Sequence, residues 1–317
     1  MTAFAFDPAD ASFNRANALY LAHASDIAYH VRPGKAAAAR LGLSAVGFFS
    51  KTARMRGFLG ICDTHAVLTF RGTNPLRIRN WATDAVVKLV ECGEYDGRVH
   101  HGFSSALQRT WEHVEPVLAL ARDKPLFITG HSMGGALAML TACRLAKIGV
   151  PPSAVYTFGA PRVGDPAFCD GYALPTFRVV NRLDLVPELP IASARKLLPE
   201  KPRLTNEKIL GRLHRLADRV PCYGHVKTFV YIDRDGTVHT DADIQPWHAA
   251  AVHRALATRG RSFLEGITDH LIGNYIRGLE GVVGKRQTGN RRRDRAGLPS
   301  SASRPALPRL RLRRREK

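Results

Sequence analysis

The stretch Gly130-His131-Ser132-Met133-Gly134-Gly135 constrains the fold more than any other feature of the chain. An apolar run just before it, residues 125–128, predicts a short buried strand, and residues 136–148, rich in Ala, Leu and Met, predict a helix after it. A strand that turns sharply into a helix through G-x-S-x-G is the setting of a nucleophile elbow, where Gly130 and Gly134 supply the clearance the turn requires. Ser132 is thereby held exposed at the strand's end. The backbone N–H of Met133, at the helix N-terminus, can then donate to an oxyanion forming beside it.

Other segments continue the alternation. Residues 11–30 predict a helix, with Phe13, Ala16, Leu19, Tyr20, Ala24 and Ile27 at spacings of three and four. Runs at 46–49, 57–61 and 66–70 predict strands, 103–121 a helix, and 154–158, 176–181 and 226–232 further strands. Such alternation implies an α/β fold with a mainly parallel central sheet and helices on both faces. With 317 residues, 45% of them hydrophobic, the chain can bury a large core.

Catalytic groups in an open α/β sheet gather at the carboxyl ends of the strands. Asp184 lies just past the predicted strand 176–181, flanked by Leu183, Leu185 and Val186, which favours burial and hence a hydrogen-bonded carboxylate. A turn aspartate capping local N–H groups is the plain alternative. Six histidines follow it: His214, His225, His239, His248, His253 and His270. His270 precedes the final amphipathic helix, 271–279, and is well placed to reach the sheet edge, while His248 on an Ala-rich helix is its rival. Thr73, where strand 66–70 runs out through Arg71 and Gly72, offers a second oxyanion donor through its N–H and hydroxyl. Residues 74–85 follow it with Ile78, Trp81 and Ala82 on one apolar face, either a lid over the catalytic mouth or an ordinary packed surface helix.

Composition bounds the remaining possibilities. The five cysteines lack C-x-x-C spacing, so free thiols are expected rather than a disulfide framework or a zinc site. No run of about 18 apolar residues predicts a membrane span, and the N-terminus lacks a signal-peptide pattern, so the expected location is cytoplasmic. The net charge is +20, yet residues 285–317 hold 13 Lys/Arg against 2 acids, and residues 195–220 hold 8 against 3. Charge so localised argues against a body built to bind nucleic acid. The segment 191–221 reads as a basic amphipathic insertion suited to the surface of an anionic membrane, and the Pro-, Ser- and Arg-rich tail 285–317 reads as disordered.

In order along the chain, the residues Phe70-Arg71-Gly72-Thr73, Asn80-Trp81-Ala82-Thr83-Asp84, Val99-His100-His101-Gly102-Phe103, Gly130-His131-Ser132-Met133-Gly134-Gly135, Thr157-Phe158-Gly159-Ala160-Pro161-Arg162-Val163-Gly164-Asp165, Asn181-Arg182-Leu183-Asp184-Leu185-Val186-Pro187 and Asp269-His270 followed by Tyr275 resemble the class 3 lipases. The resemblance implies an α/β-hydrolase domain over residues 1–284 that cleaves carboxylic esters of acyl lipids without metal or organic cofactor. By position it implies Ser132 as nucleophile, Asp184 as orienting acid and His270 as general base. It further implies Thr73 and Met133 as oxyanion donors and a lid carrying Ile78, Trp81 and Ala82. His225 matches a recurrent non-catalytic histidine. A phospholipase A-type activity, an inactive membrane-binding module and a nucleic-acid role for the tail are the alternatives.

Overall fold

A computed structural model describes residues 5–10, 12–30, 38–49, 56–73, 88–91, 93, 96–190, 221–226, 228–240, 244–258 and 260–281. The expected lid residues Ile78, Trp81 and Ala82, nearly all of the basic insertion 191–221, and the tail 285–317 lie outside these residues.

Among the described residues the strands are β1 (Ser44–Phe49), β2 (Gly57–Ile61), β3 (Ala66–Phe70), β4 (Leu89–Glu91), β5 (Arg98–His100), β6 (Leu126–His131), β7 (Ala154–Phe158), β8 (Thr176–Asn181), β9 (Phe229–Ile232) and β10 (Val238–His239). Eight form one sheet in the order β1-β2-β3-β6-β7-β8-β9-β10, while β4 and β5 form a separate ribbon. The inner pairs β3/β6, β6/β7, β7/β8 and β8/β9 are parallel, and β1/β2, β2/β3 and β9/β10 are antiparallel. The sheet is thus mainly parallel at its centre, with its carboxyl ends on one edge.

Helices are α1 (Arg15–Ile27), α2 (His101–Leu118), α3 (Met133–Lys147), α4 (Pro166–Gly171), α5 (Ile244–Thr258), α6 (Arg261–Asp269) and α7 (Ile272–Glu280). They cover both faces because the inner strands are apolar on both sides. Leu59, Leu68, Ile128 and Val155 pack with α2 and α3 on one face. Phe58, Val67, Phe127, Tyr156 and Val179 pack with α1 and α7 on the other. Each fully buried Leu or Phe side chain in such a layer contributes about 1.5–3 kcal/mol.

Local chemistry moves several element ends from where periodicity sets them. The first helix is shorter than 11–30 because Asn14 caps it, its side chain accepting from the N–H groups of Ala16 and Asn17. The strand predicted over 226–232 starts only at Phe229, since Thr228 at φ 65 leaves the extended region. The helix after the elbow begins at Met133 rather than Ala136, drawing Gly134 and Gly135 into its first turn. Cys62, Cys143, Cys169 and Cys222 carry free thiols.

Candidate active site

Ser132 stands between β6 and α3 with φ 58 and ψ −130, a left-handed backbone that costs a non-glycine residue about 1–3 kcal/mol. The turn holds because its flanks are bare: a Cβ on Gly130 would overlap the backbone of Gly134, and a Cβ on Gly134 would overlap the carbonyl of Phe70. The Ser132 N–H donates to the carbonyl of Phe158 at 2.8 Å, tying the turn to β7. Only 1% of Ser132 is accessible, so the serine expected to stand exposed is covered.

Two residues of the neighbouring strand end reach the same place. A Cβ position on Gly72 falls 3.0 Å from Ser132 Cβ, and the Thr73 hydroxyl donates to Met133 Sδ at 3.3 Å. Thr73 and Met133 are therefore brought together beside Ser132. The Met133 N–H opens α3 and has no intrahelical acceptor.

Asp184, wholly buried, follows β8. Its Oδ1 accepts from the Val186 N–H at 2.9 Å, and its Oδ2 accepts from the Tyr275 hydroxyl on α7. His270 Nδ1 lies 2.9 Å from Oδ1 and 2.8 Å from Oδ2. A carboxylate accepts, so Nδ1 carries the proton and Nε2 the lone pair. Nε2 is buried and has no hydrogen-bond partner, and Ser132 makes no bond to it in this state. Gly159, at φ 59, lets these groups converge: a Cβ there would lie 2.5 Å from Asp184 Oδ2 and 2.9 Å from His270 Nδ1. Its neighbour Phe158 holds Ser132, so the residues 158–159 touch both the serine turn and the Asp184–His270 pair.

Burial and the Asp184 charge hold the Tyr275 phenol protonated, well above its ordinary range. Next to His270, Asp269 is pushed up to about 6 by burial, although its Oδ2 accepts from the Leu183 N–H at 3.1 Å.

His248, the rival base, gathers elsewhere. Its Nδ1 lies 3.7 Å from Glu188 Oε1, and His225 Nε2 lies 4.0 Å from the same oxygen. Glu188 also pairs with Arg162. Burial raises the Glu188 carboxyl, but His248 and Arg162 outweigh it and hold it at about 2. Through Arg162, whose N–H donates to the Leu189 carbonyl at 2.7 Å, this cluster fastens the turn after Asp184 to the loop after β7.

Sequence reasoning missed Glu188 and Tyr29, and gave His131 and Tyr275 no role beyond their match to the family. A glutamate in the apolar run Leu185-Val186-Pro187-Glu188-Leu189 was a signal, since a carboxylate there must find a buried partner. Among the described residues no group of His, Cys, Asp and Glu is arranged to hold a metal ion, and no helix is long and apolar enough to cross a membrane.

Residues 67–194 match the family model described as Lipase (class 3). That segment holds Thr73, Ser132, Met133 and Asp184 and ends before His270. A lipase of Caenorhabditis elegans is 33% identical over 209 residues, 58% of either chain. A lipase of Rhizomucor miehei is 38% identical over 138 residues, 40% of this chain and 38% of that one. The secreted mono- and diacylglycerol lipase 1 of Fusarium solani is 35% identical over 132 residues, 39% of each. The chain thus spans between 38% and 58% of the length of these relatives. The solved structure of the Rhizomucor miehei triacylglyceride lipase superposes with a TM-score of 0.54 at 24% identity, covering 70% of this chain and 83% of that one. A Yarrowia lipolytica lipase gives 0.52 at 22%, covering 68% and 78%. These likenesses show the α/β-hydrolase fold.

Proposed function

We propose that the chain is a class 3 lipase, the family whose model it matches over residues 67–194, and that it is a serine hydrolase releasing fatty acids from acylglycerol esters through an acyl-enzyme. One observation carries the reading above the rest. His270 has its Nδ1 proton engaged by a buried Asp184, and its Nε2 is left buried and unpartnered, in a pair that packs on Gly159 next to the Phe158 carbonyl holding the Ser132 turn. Leaving such an acceptor unsatisfied costs about 1–3 kcal/mol; His248 also has unpartnered ring nitrogens, but it lies against Glu188, whereas His270 is paired with Asp184 beside the residues that hold the Ser132 turn.

In this mechanism Ser132 Oγ turns to Nε2, loses its proton to His270 and attacks the ester carbonyl. The Thr73 and Met133 donors hold the oxyanion, and Asp184 keeps the tautomer and stabilises the imidazolium. His270 then protonates the departing alcohol. Water attacks the acyl-enzyme, gives its proton to Nε2, and the fatty acid leaves as Ser132 recovers its own. The Lys- and Arg-rich segments 195–220 and 285–317 add attraction to anionic lipid, on the order of 1 kcal/mol per residue near the surface. Activity on anionic vesicles therefore exceeds that on zwitterionic ones and declines with salt.

The test is hydrolysis of a p-nitrophenyl ester. Ser132→Ala and His270→Ala each lower turnover by about five to six orders of magnitude. Loss in His248→Ala with none in His270→Ala would overturn the assignment of the base.

A further inference from the structure

Apart from the Ser132 site, the described residues enclose a half-open cleft of about 330 Å³ between the β8–β9 edge, α5 and α6. Its walls include Arg182, Arg234 and Arg254 together with Leu183, Tyr231 and Trp247. Arg234 and Arg254 are open to solvent, while Arg182 is half-buried with the Asp269 carboxyl near enough to feel its charge. Arg234 Nη2 lies 3.7 Å from Glu265, but Glu265 is shared with Arg261 at 3.2 Å. Arg182 and Arg254 have no ion pair among the described residues. Among the described residues Arg182 Nη2 donates to the Arg234 carbonyl, at 3.4 Å, and Arg182 Nε is buried without a hydrogen-bond partner. Arg182 is also held at φ 48, a strained backbone for a non-glycine residue.

The other walls are mostly apolar, with Thr258 and Ser262 as polar exceptions. Leu183, Ala251 and Ala255 line the cleft, and the rings of Tyr231 and Trp247 meet edge to face with centroids 6.2 Å apart. Guanidinium groups together with an indole and alkyl side chains in one cleft suit a ligand with an oxyanion head and a hydrocarbon body. The volume equals that of about ten waters, which leaves room for such a head and a chain of about eight carbons.

We propose that this cleft binds a short amphiphilic oxyanion, a carboxylate or phosphate monoester, with its head on Arg182, Arg234 and Arg254 and its alkyl body along Leu183, Ala251 and Trp247. The site is separate from the ester-cleaving chemistry and does not depend on it. It adjoins that chemistry along the chain, because Arg182 and Leu183 lead into Asp184, and the Leu183 N–H donates to Asp269, the residue before His270.

Calorimetric titration of the full chain with octanoate, octyl phosphate, inorganic phosphate and octanol tests this, together with Trp fluorescence. Octanoate or octyl phosphate should bind at least tenfold tighter than inorganic phosphate and octanol. Preference for octanoate identifies a fatty acid as the source, and preference for octyl phosphate identifies a phospholipid headgroup. Arg234 and Arg254 are exposed, so the double variant Arg234→Ser/Arg254→Ser should melt as the parent does and bind at least tenfold more weakly. Trp247→Phe should abolish the fluorescence change while heat of binding persists. Unchanged affinity in the double variant would place the ligand elsewhere and overturn the proposal. So would octanol or inorganic phosphate binding as tightly as the amphiphilic anions, or no binding at all.

Discussion

His131 Nε2 lies 2.6 Å from the carbonyl oxygen of His270. A carbonyl only accepts, so Nε2 carries the proton, and Nδ1 accepts from the Tyr29 hydroxyl, also at 2.6 Å. Burial, with His270 close by, keeps the ring neutral by holding it well below the ordinary histidine range. The residue before Ser132 is thereby fastened to the backbone of the proposed base. Tyr29→Phe strands His131 Nδ1 without a donor, and should lower stability by about 1–3 kcal/mol in urea unfolding. An unchanged midpoint would mean that the chain from Tyr29 through His131 to His270 is not a structural link.

Tyr275 bears on Asp184 in the same direct way. The Tyr275 hydroxyl donates to Asp184 Oδ2, an oxygen that also faces His270 Nδ1. A hydrogen bond to a charged group is worth about 1.5–3 kcal/mol, so Tyr275→Phe should lower kcat by about 10- to 100-fold and leave KM nearly unchanged. Steady-state kinetics decide this, and a loss under twofold would reduce Tyr275 to packing.

At the other side of Ser132, the Thr73 hydroxyl points to a thioether, a weak acceptor that an oxyanion readily displaces. Thr73→Val should therefore cost about 10² to 10³ in turnover. Met133→Leu keeps the backbone donor and should stay within a few-fold of the parent. Equal losses in the two variants would show that side-chain packing, and not donation by the hydroxyl, is what matters there.

Acid should loosen the fold well before it protonates ordinary carboxylates. Burial holds His65 and His100 at about 4, and holds His131 and His225 well below 6.5. For each, the folded pKa lies under the unfolded one, so the unfolded chain binds more protons between the two, and stability is lost as pH falls from about 6.5 toward 4. Glu188, held at about 2, acts with the same sign at lower pH. Asp269, raised to about 6, opposes them, its contribution being full below its unfolded value and lost as pH rises through 6. Four histidines outweigh one carboxyl, so Tm should fall steadily from pH 7 to pH 4.5. A flat or rising profile would contradict this balance.

What the sequence discloses depends on how local the physics is. The strands 154–158 and 176–181 appear at their predicted bounds because continuous apolar runs buried on both faces leave little freedom in where they end. The serine turn was equally plain, since its glycine clearances are local. Pairing Asp184 with one histidine was not, because the partners lie 86 residues apart and no periodicity spans that distance. Composition and spacing left His248 and His270 as rivals, and family resemblance alone separated them. The structure takes His248 to Glu188 instead. Glu188 and Tyr29 escaped notice, and Tyr275 stood only as a match to the family without a role, because each acts through a tertiary contact that a single chain segment does not announce.

The central claim is that Ser132 forms an acyl-enzyme with His270 as its base, and covalent trapping tests it most directly. The full chain is treated with a fluorophosphonate that mimics an ester carbonyl, and its peptides are then read by mass spectrometry. The adduct should sit on Ser132, vanish in Ser132→Ala, and form at least a thousandfold more slowly in His270→Ala. An adduct on another residue, or ester hydrolysis that persists undiminished in Ser132→Ala, would contradict the account.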